Sequence, residues 1–139
     1  MKKVLFILML MIGTAATFTS CKKDDEKTEK EKNLELLVSG KWYYQSYKNS
    51  GSSSAYTCFT AADYWEFKSD GTVSETWDFG NGTYSISEDG KTLSVTTGNY
   101  TNTFTITSIS NSELKLNLAG SKSSADLSMA KTALNCTAR

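Results

Sequence analysis

The 139-residue chain contains no histidine. Imidazole is the commonest general acid or base near neutral pH and a frequent metal ligand. Its absence excludes Ser-His-Asp and Cys-His hydrolases, His-ligated zinc enzymes and haem proteins with a histidine ligand. Four acidic residues are scattered over predicted loops and outer faces, so the sequence indicates no carboxylate pair for glycoside hydrolysis. They are Asp63, Glu66, Asp70 and Asp78. We therefore expect a protein without enzymatic activity that uses no cofactor and no metal.

The sequence also lacks a large net charge and an apolar run long enough to cross a membrane. Fifteen Lys and Arg residues balance fifteen Asp and Glu residues. We therefore expect no nucleic-acid partner, which would need a basic face. Residues 4–12 are apolar, but a membrane-spanning helix needs about 20 such residues. Because Lys2 and Lys3 precede this run and small residues follow it up to Ser20, residues 1–20 are typical of a secretory signal peptide.

Cys21 comes directly after these small residues. It resembles the cysteine of bacterial lipoprotein signals, which is lipidated and becomes the mature N-terminus. The segment from Lys22 to Glu26 resembles the short lysine-plus-acidic tag that directs some Gram-negative lipoproteins to the outer face of the outer membrane. These resemblances imply a lipoprotein of the cell envelope, held in the outer membrane by lipid on Cys21 and exposed at the cell surface. Residues 21–33 are highly charged and are predicted to form a flexible tether.

Two further cysteines, Cys58 and Cys136, remain once Cys21 carries lipid. An exported protein meets an oxidising compartment, in which thiols pair. The even count therefore predicts a disulfide between Cys58 and Cys136. The alternative is a pair of buried free thiols.

Residues 34–139 are predicted to form one all-β domain. Asn33 is expected to cap a short helical turn over residues 34–38, which ends at Gly40. Beyond it, apolar and polar residues alternate, and turn signals recur every 8 to 12 residues. The predicted strands are Lys41–Lys48, Tyr64–Lys68, Thr72–Asp78, Thr83–Ser87, Thr92–Thr97, Tyr100–Ile109, Glu113–Ala119 and Ala125–Ala133. Because short hairpins join the second to seventh strands, we expect a small eight-stranded antiparallel up-and-down β-barrel.

Several short motifs of this domain resemble those of lipocalins. Gly40-Lys41-Trp42, after a helical turn and at the start of the first strand, resembles the lipocalin Gly-x-Trp signature. The hairpins Trp65–Thr72 and Tyr84–Leu93 resemble those of the lipocalin-like domains in Gram-negative surface lipoproteins. The resemblance runs from Leu34 to Met129. It implies that Trp42 packs across the closed end of the barrel and that the long loop between the first two strands covers the open end.

Alternation of side chains also predicts which residues point into the barrel. The inward positions that are candidates for ligand contact are Trp65, Phe67, Glu75, Trp77, Tyr84 and Phe104. The alternative is that these side chains simply fill the interior. Glu75 is the unusual member, because an inward carboxylate is costly unless it is solvated, hydrogen-bonded or neutralised. It lies at a water-filled mouth, or contacts a ligand, or the predicted register is displaced by one residue.

Two functions fit these expectations. The first is binding of a small apolar or amphipathic molecule in the barrel mouth, which a cavity of at least ~300 Å³ under residues 49–63 would favour. The second is a filled barrel that acts as an accessory module and docks another envelope or extracellular protein. An exposed aromatic patch larger than a few hundred Å² would favour this second function.

Overall fold

A computed structural model describes residues 26–77, 79–120 and 124–137. The predicted signal peptide, Cys21 and the sorting tag lie outside the described residues, apart from Glu26 at the end of the tag. The elements in chain order are α1 (Glu29–Leu37), β1 (Lys41–Asn49), β2 (Tyr64–Phe67), β3 (Thr72–Glu75), β4 (Gly82–Ile86), β5 (Thr92–Thr97), β6 (Tyr100–Ile109), β7 (Glu113–Ala119) and β8 (Ser124–Ala130). The helical residues in these ranges do not form a span with the length and hydropathy that passage through a bilayer requires.

The eight strands form a closed antiparallel barrel in which each strand pairs with the next and β8 pairs with β1. The closing pair places Tyr44 opposite Met129 and Lys48 opposite Asp126. A bulge between Tyr44 and Ser46 interrupts its register, and bulges of this kind increase the local twist of a strand. The predicted fold class is therefore confirmed, and closure pairs β1 with β8, which would be the two edge strands of an open sheet.

Helix α1 is longer than the sequence indicated. Its N-cap is Thr28, whose hydroxyl accepts from the Glu31 backbone N–H at 3.2 Å while the Glu31 carboxylate accepts from the Thr28 N–H at 2.8 Å. The Thr28 N–H and the Thr28 hydroxyl both donate to the Glu31 carboxylate, and these two bonds lower the pKa of Glu31. The prediction of Asn33 as N-cap is wrong, because this capping box starts the helix earlier. Asn33 is instead buried inside the helix and donates from its side chain to the Gly90 carbonyl at 3.0 Å. Residues 29–33, assigned above to the tether, thus belong to α1.

The barrel has two different ends. The helix end carries α1 together with the β2–β3, β4–β5 and β6–β7 turns, and Lys30 of α1 forms an ion pair with Glu88 there. The opposite end, here called the mouth, carries the β1–β2, β3–β4 and β5–β6 loops (residues 50–63, 76–77, 79–81 and 98–99). Successive hairpins of an up-and-down barrel alternate between its ends, and this alternation separates the two sets of loops.

Trp42 closes the helix end. Its side chain is fully buried, and its indole Nε1–H donates to the Leu37 carbonyl at the end of α1 at 2.8 Å. The Lys131 ammonium lies 3.5 Å from the centre of the Trp42 ring and donates to the Gly40 carbonyl at 3.2 Å. Gly40 has φ +127°, a conformation that favours glycine, so the turn between α1 and β1 needs this residue.

The barrel interior is packed with large side chains. Aromatic rings meet there at short range, with Trp65 centred 5.4 Å from Phe67 and 5.4 Å from Phe104. The largest fully buried side chains are Trp42, Trp65, Tyr44, Phe59, Phe67, Phe104, Leu37, Leu93, Leu114, Leu116, Met129 and Val73. This core follows the predicted alternation in β2, β5, β7 and β8.

A disulfide joins the β1–β2 loop to the C-terminal segment. Cys58 and Cys136 are bonded, with their Cα atoms 5.1 Å apart, which confirms the predicted pairing. The Cys136 N–H also donates to the Phe59 carbonyl at 3.1 Å. Phe59 is fully buried and stacks on Tyr44 with ring centres 5.0 Å apart. The disulfide therefore restrains the β1–β2 loop next to Phe59, whose side chain packs into the barrel at the mouth.

Removing this disulfide should lower stability without abolishing the barrel. For Cys58→Ala combined with Cys136→Ala we expect a loss of about 2–4 kcal/mol in the free energy of unfolding, because the denatured chain gains freedom. Urea denaturation followed by far-UV circular dichroism measures this loss. The reduced wild-type protein is the control and should lose a similar amount. An unchanged urea midpoint, or a double variant that does not fold, would contradict this prediction.

The environment of Lys131 predicts a pH dependence of stability. Burial lowers the pKa of Lys131 to about 8, against ~10.4 in an unfolded chain. Between these values unfolding takes up a proton, so the free energy of unfolding should rise with pH through this window. Below pH ~8 Lys131 is charged in both the folded and the unfolded state, so burial of its ammonium lowers the free energy of unfolding by the full amount. The test is the difference in unfolding free energy between wild type and Lys131→Met, measured from about pH 7 to pH 10. A difference that stays constant with pH would refute the assignment.

Candidate functional site

A cleft of about 530 Å³ opens at the mouth of the barrel. Two neighbouring segments supply its walls: the β3–β4 loop and the hairpin between β5 and β6. The lining residues are Phe79, Asn81, Thr97, Gly98, Tyr100 and Asn102. None of them belongs to residues 49–63, under which the ligand cavity was expected, so the cleft lies at a different part of the mouth. None of these side chains is charged.

The register of β5 and β6 explains why polar side chains face this cleft. Asn102 lies opposite Val95, and Tyr100 lies opposite Thr97. Directly opposed residues share a face of the sheet, and Val95 is fully buried inside the barrel. The inward-facing residues of β6 therefore become more exposed towards the mouth. Phe104 is buried, Asn102 is partly exposed, and Tyr100 at the rim is 78% exposed.

Phe79 forms the floor of the cleft. Its ring centre lies 5.8 Å from that of Trp65 and 6.0 Å from that of Phe104, both in edge-on arrangements. The packed aromatic interior thus begins directly beneath Phe79. A molecule in the cleft would rest on this ring and would not enter the barrel.

Glu75 fixes the loop that carries Phe79. This inward side chain is only 4% exposed, so the predicted register is right and Glu75 is not at a water-filled mouth. Its carboxylate accepts hydrogen bonds from the Tyr44 hydroxyl at 2.9 Å and from the backbone N–H groups of Trp77 at 2.8 Å and Gly80 at 3.1 Å. The Phe79 N–H also donates to it. Hydrogen bonding therefore offsets the cost of burying this carboxylate.

These bonds also correct the predicted end of β3. The strand was expected to continue to Asp78 but ends at Glu75. The carboxylate of Glu75 accepts hydrogen bonds from the backbone N–H groups of Trp77 and Phe79, so these groups do not pair with a neighbouring strand. Trp77 was predicted to point into the barrel, but it lies in the loop after β3 and is 39% exposed. Its ring packs against those of Tyr47 at 5.2 Å, Phe59 at 5.2 Å and Tyr56 at 6.0 Å.

The remaining predicted ligand contacts do not line the cleft. Trp65, Phe67 and Phe104 lie in the packed interior. Tyr84 is half-buried, with its ring 5.1 Å from Phe67, and its hydroxyl donates to the carbonyl of Lys68 near the helix end. Burial raises the pKa of Tyr84. The structure thus separates these residues from the cleft, and their contact with a ligand stays a prediction.

Sequence reasoning missed the residues that do line the cleft. Asn102 and Tyr100 could have been found by extending the inward alternation of β6 from Phe104 towards its start. Phe79 and Asn81 had no comparable signal, because they lie in a loop without periodicity. Among the described residues, no group of three or more His, Cys, Asp or Glu side chains is placed to hold a metal ion.

Comparison with known proteins agrees with the architecture. No curated protein matches the chain. A match to the lipocalin-like domain family covers residues 38–116, more than half of the chain, and runs from the Gly40–Trp42 signature through β6 into β7. The closed eight-stranded barrel and the match together show that the chain belongs to the lipocalin-like domain family.

Proposed function

We propose that this protein is a lipid-anchored envelope protein that binds a small amphipathic molecule in the mouth cleft. The observation that carries the proposal is the cleft itself. Its volume of about 530 Å³ falls in the range of small-molecule sites, ~300–1,000 Å³. It combines an aromatic floor, Phe79, with the polar side chains of Asn81, Thr97 and Asn102. The proposed role is binding and not catalysis.

The packed interior limits how deep such a ligand sits. Phe79 lies on Trp65 and Phe104, so the ligand would occupy the rim and not a deep calyx. Much of its surface would then stay in water, and shallow sites of this kind bind weakly. Tyr100 can supply a large contact area at the rim, because its ring is 78% exposed.

A second candidate function rests on a different observation at the mouth. Tyr56 and Trp77 are 50% and 39% exposed and stack with their rings 7° from parallel. Together with the filled interior, this pair favours an accessory module that docks another envelope or extracellular protein. Aromatic side chains of this kind are enriched at protein interfaces.

Native mass spectrometry of the protein purified from its own host tests the first candidate. We expect a co-purified small molecule on the wild type that is lost in Tyr100→Ala. The matched control is Tyr64→Ala, which removes a tyrosine of β2 that does not line the cleft. Absence of any bound molecule, or one retained equally by both variants, would contradict the proposal. In that case, loss of a cross-linked partner protein in Trp77→Ala would support docking.

The proposed anchor is a thioether-linked lipid on Cys21. Cys21→Ser should move the protein from the membrane to the soluble fraction, because the covalent lipid and not the barrel would hold it. Partition in Triton X-114 measures this directly, with Cys58→Ala combined with Cys136→Ala as the cysteine control that should stay in the detergent phase. A Cys21→Ser protein that remains in the detergent phase would place the anchor elsewhere.

A further inference from the structure

We infer that the mouth cleft takes an uncharged, hydroxyl-rich ring compound, such as a neutral hexopyranose unit of a saccharide. This inference rests on the proposed function, because it names the chemical class of the ligand for the same cleft. Three features of the lining carry it: two aromatic rings, two carboxamides and the absence of charge.

The aromatic rings suit the flat face of a sugar. A pyranose ring presents C–H groups on its face and hydroxyl groups around its edge. Aromatic rings carry partial negative charge on their faces, which attracts such C–H groups. Tyr100 is 78% exposed and offers its ring at the rim, while Phe79 forms the floor. The cleft therefore has apolar surface of the right kind at two positions.

The carboxamides suit the hydroxyl groups at the edge of that ring. Asn81 and Asn102 each carry both a donor and an acceptor, as does every sugar hydroxyl, and the Thr97 hydroxyl adds a third such group. The described residues provide no hydrogen bond to the side-chain amide of either asparagine. These amides are therefore available for a ligand, and a purely apolar ligand would cover them without supplying partners.

The charge of the lining argues against ionic ligands. None of the six lining residues is acidic or basic, so a carboxylate, phosphate or ammonium group would lose water without gaining a counter-charge. Long-chain fatty acids and charged sugar acids are disfavoured for this reason. A neutral saccharide carries no charge that needs a partner, and its hydroxyl groups can form hydrogen bonds with both amides.

The test titrates the protein purified from its own host membranes, reconstituted in phospholipid nanodiscs, with a panel of methyl hexopyranosides and neutral di- and trisaccharides. Isothermal titration calorimetry should detect binding of at least one member. Affinity should fall at least tenfold in Tyr100→Ala and in Asn102→Leu, and by less than twofold in Tyr64→Ala. Asn102→Leu is the informative variant, because it keeps the size of the side chain but makes it apolar.

The outcomes distinguish this inference from the proposed function. If no neutral saccharide binds, yet the host-derived molecule is lost in Tyr100→Ala, the cleft is a binding site for another class and the inference is overturned. Tighter binding of glucuronic acid than of glucose would overturn it as well, as would affinity that rises in Asn102→Leu. If neither the saccharides nor a host-derived molecule bind, both the inference and the proposed function fail.

Discussion

Replacing Trp42 by alanine should lower the free energy of unfolding by about 3–5 kcal/mol, the usual cost of removing a large buried aromatic side chain. Trp42 is fully buried, and its indole N–H donates a hydrogen bond to the Leu37 carbonyl at the end of α1. The variant would also leave the Lys131 ammonium without the ring it covers. Urea denaturation monitored by circular dichroism measures the loss.

Trp77→Ala is the matched control for Trp42→Ala. Trp77 is 39% exposed in a loop, so its removal should cost markedly less than that of Trp42. Ligand binding per folded molecule should be unchanged in Trp42→Ala, because Trp42 lies at the helix end and the cleft at the mouth. A loss below ~0.5 kcal/mol for Trp42→Ala would show that this residue does not close the barrel.

Glu75→Leu should destabilise the protein by about 3 kcal/mol, because it removes the acceptor for several donors at once. The Tyr44 hydroxyl, itself bonded by the Trp65 indole N–H, would lose its carboxylate partner. The β3–β4 loop would lose the bonds that hold the Phe79 backbone. We therefore expect a second effect, the loss of any ligand that binds on Phe79.

Two variants separate these effects of Glu75. Glu75→Gln keeps an oxygen acceptor and should lose less stability than Glu75→Leu. Glu66→Gln changes a carboxylate of the neighbouring strand β2 and should stay within ~0.5 kcal/mol of the wild type. Urea denaturation of the three variants is the measurement. Equal stability of Glu75→Leu and the wild type would mean that the carboxylate does not hold the loop.

The barrel could be predicted from sequence because its strands are regular. Side chains that alternate between core and solvent mark β2, β5 and β7 directly, and the core positions Trp65, Leu93 and Leu116 follow from that alternation. Short Asp-Gly turns fix which strands are neighbours. The disulfide followed from counting cysteines, once Cys21 was set aside as the predicted lipidation site.

The features that sequence reasoning missed depend on side-chain hydrogen bonds and ring contacts that charge patterns and strand alternation do not reveal. Helix α1 begins early because the Thr28–Glu31 capping box forms within a segment whose charges resemble a disordered tether. Phe59 is buried although its loop has no periodicity, since Tyr44 provides a ring to stack on. The end of β3 depends on side-chain-to-backbone bonds of Glu75, which alternation cannot reveal.

If Cys21 carries the proposed lipid, the position of α1 determines how the barrel is oriented on the membrane. The helix contacts the barrel through Asn33 and Lys30 at the end opposite the mouth. With lipid on Cys21, a tether of residues 21–28 would reach at most ~30 Å from the bilayer to this helix. The barrel would then stand with its closed end towards the lipid and its cleft towards the surroundings. Water-soluble molecules would then reach the rim residue Tyr100, which is 78% exposed, without entering the membrane.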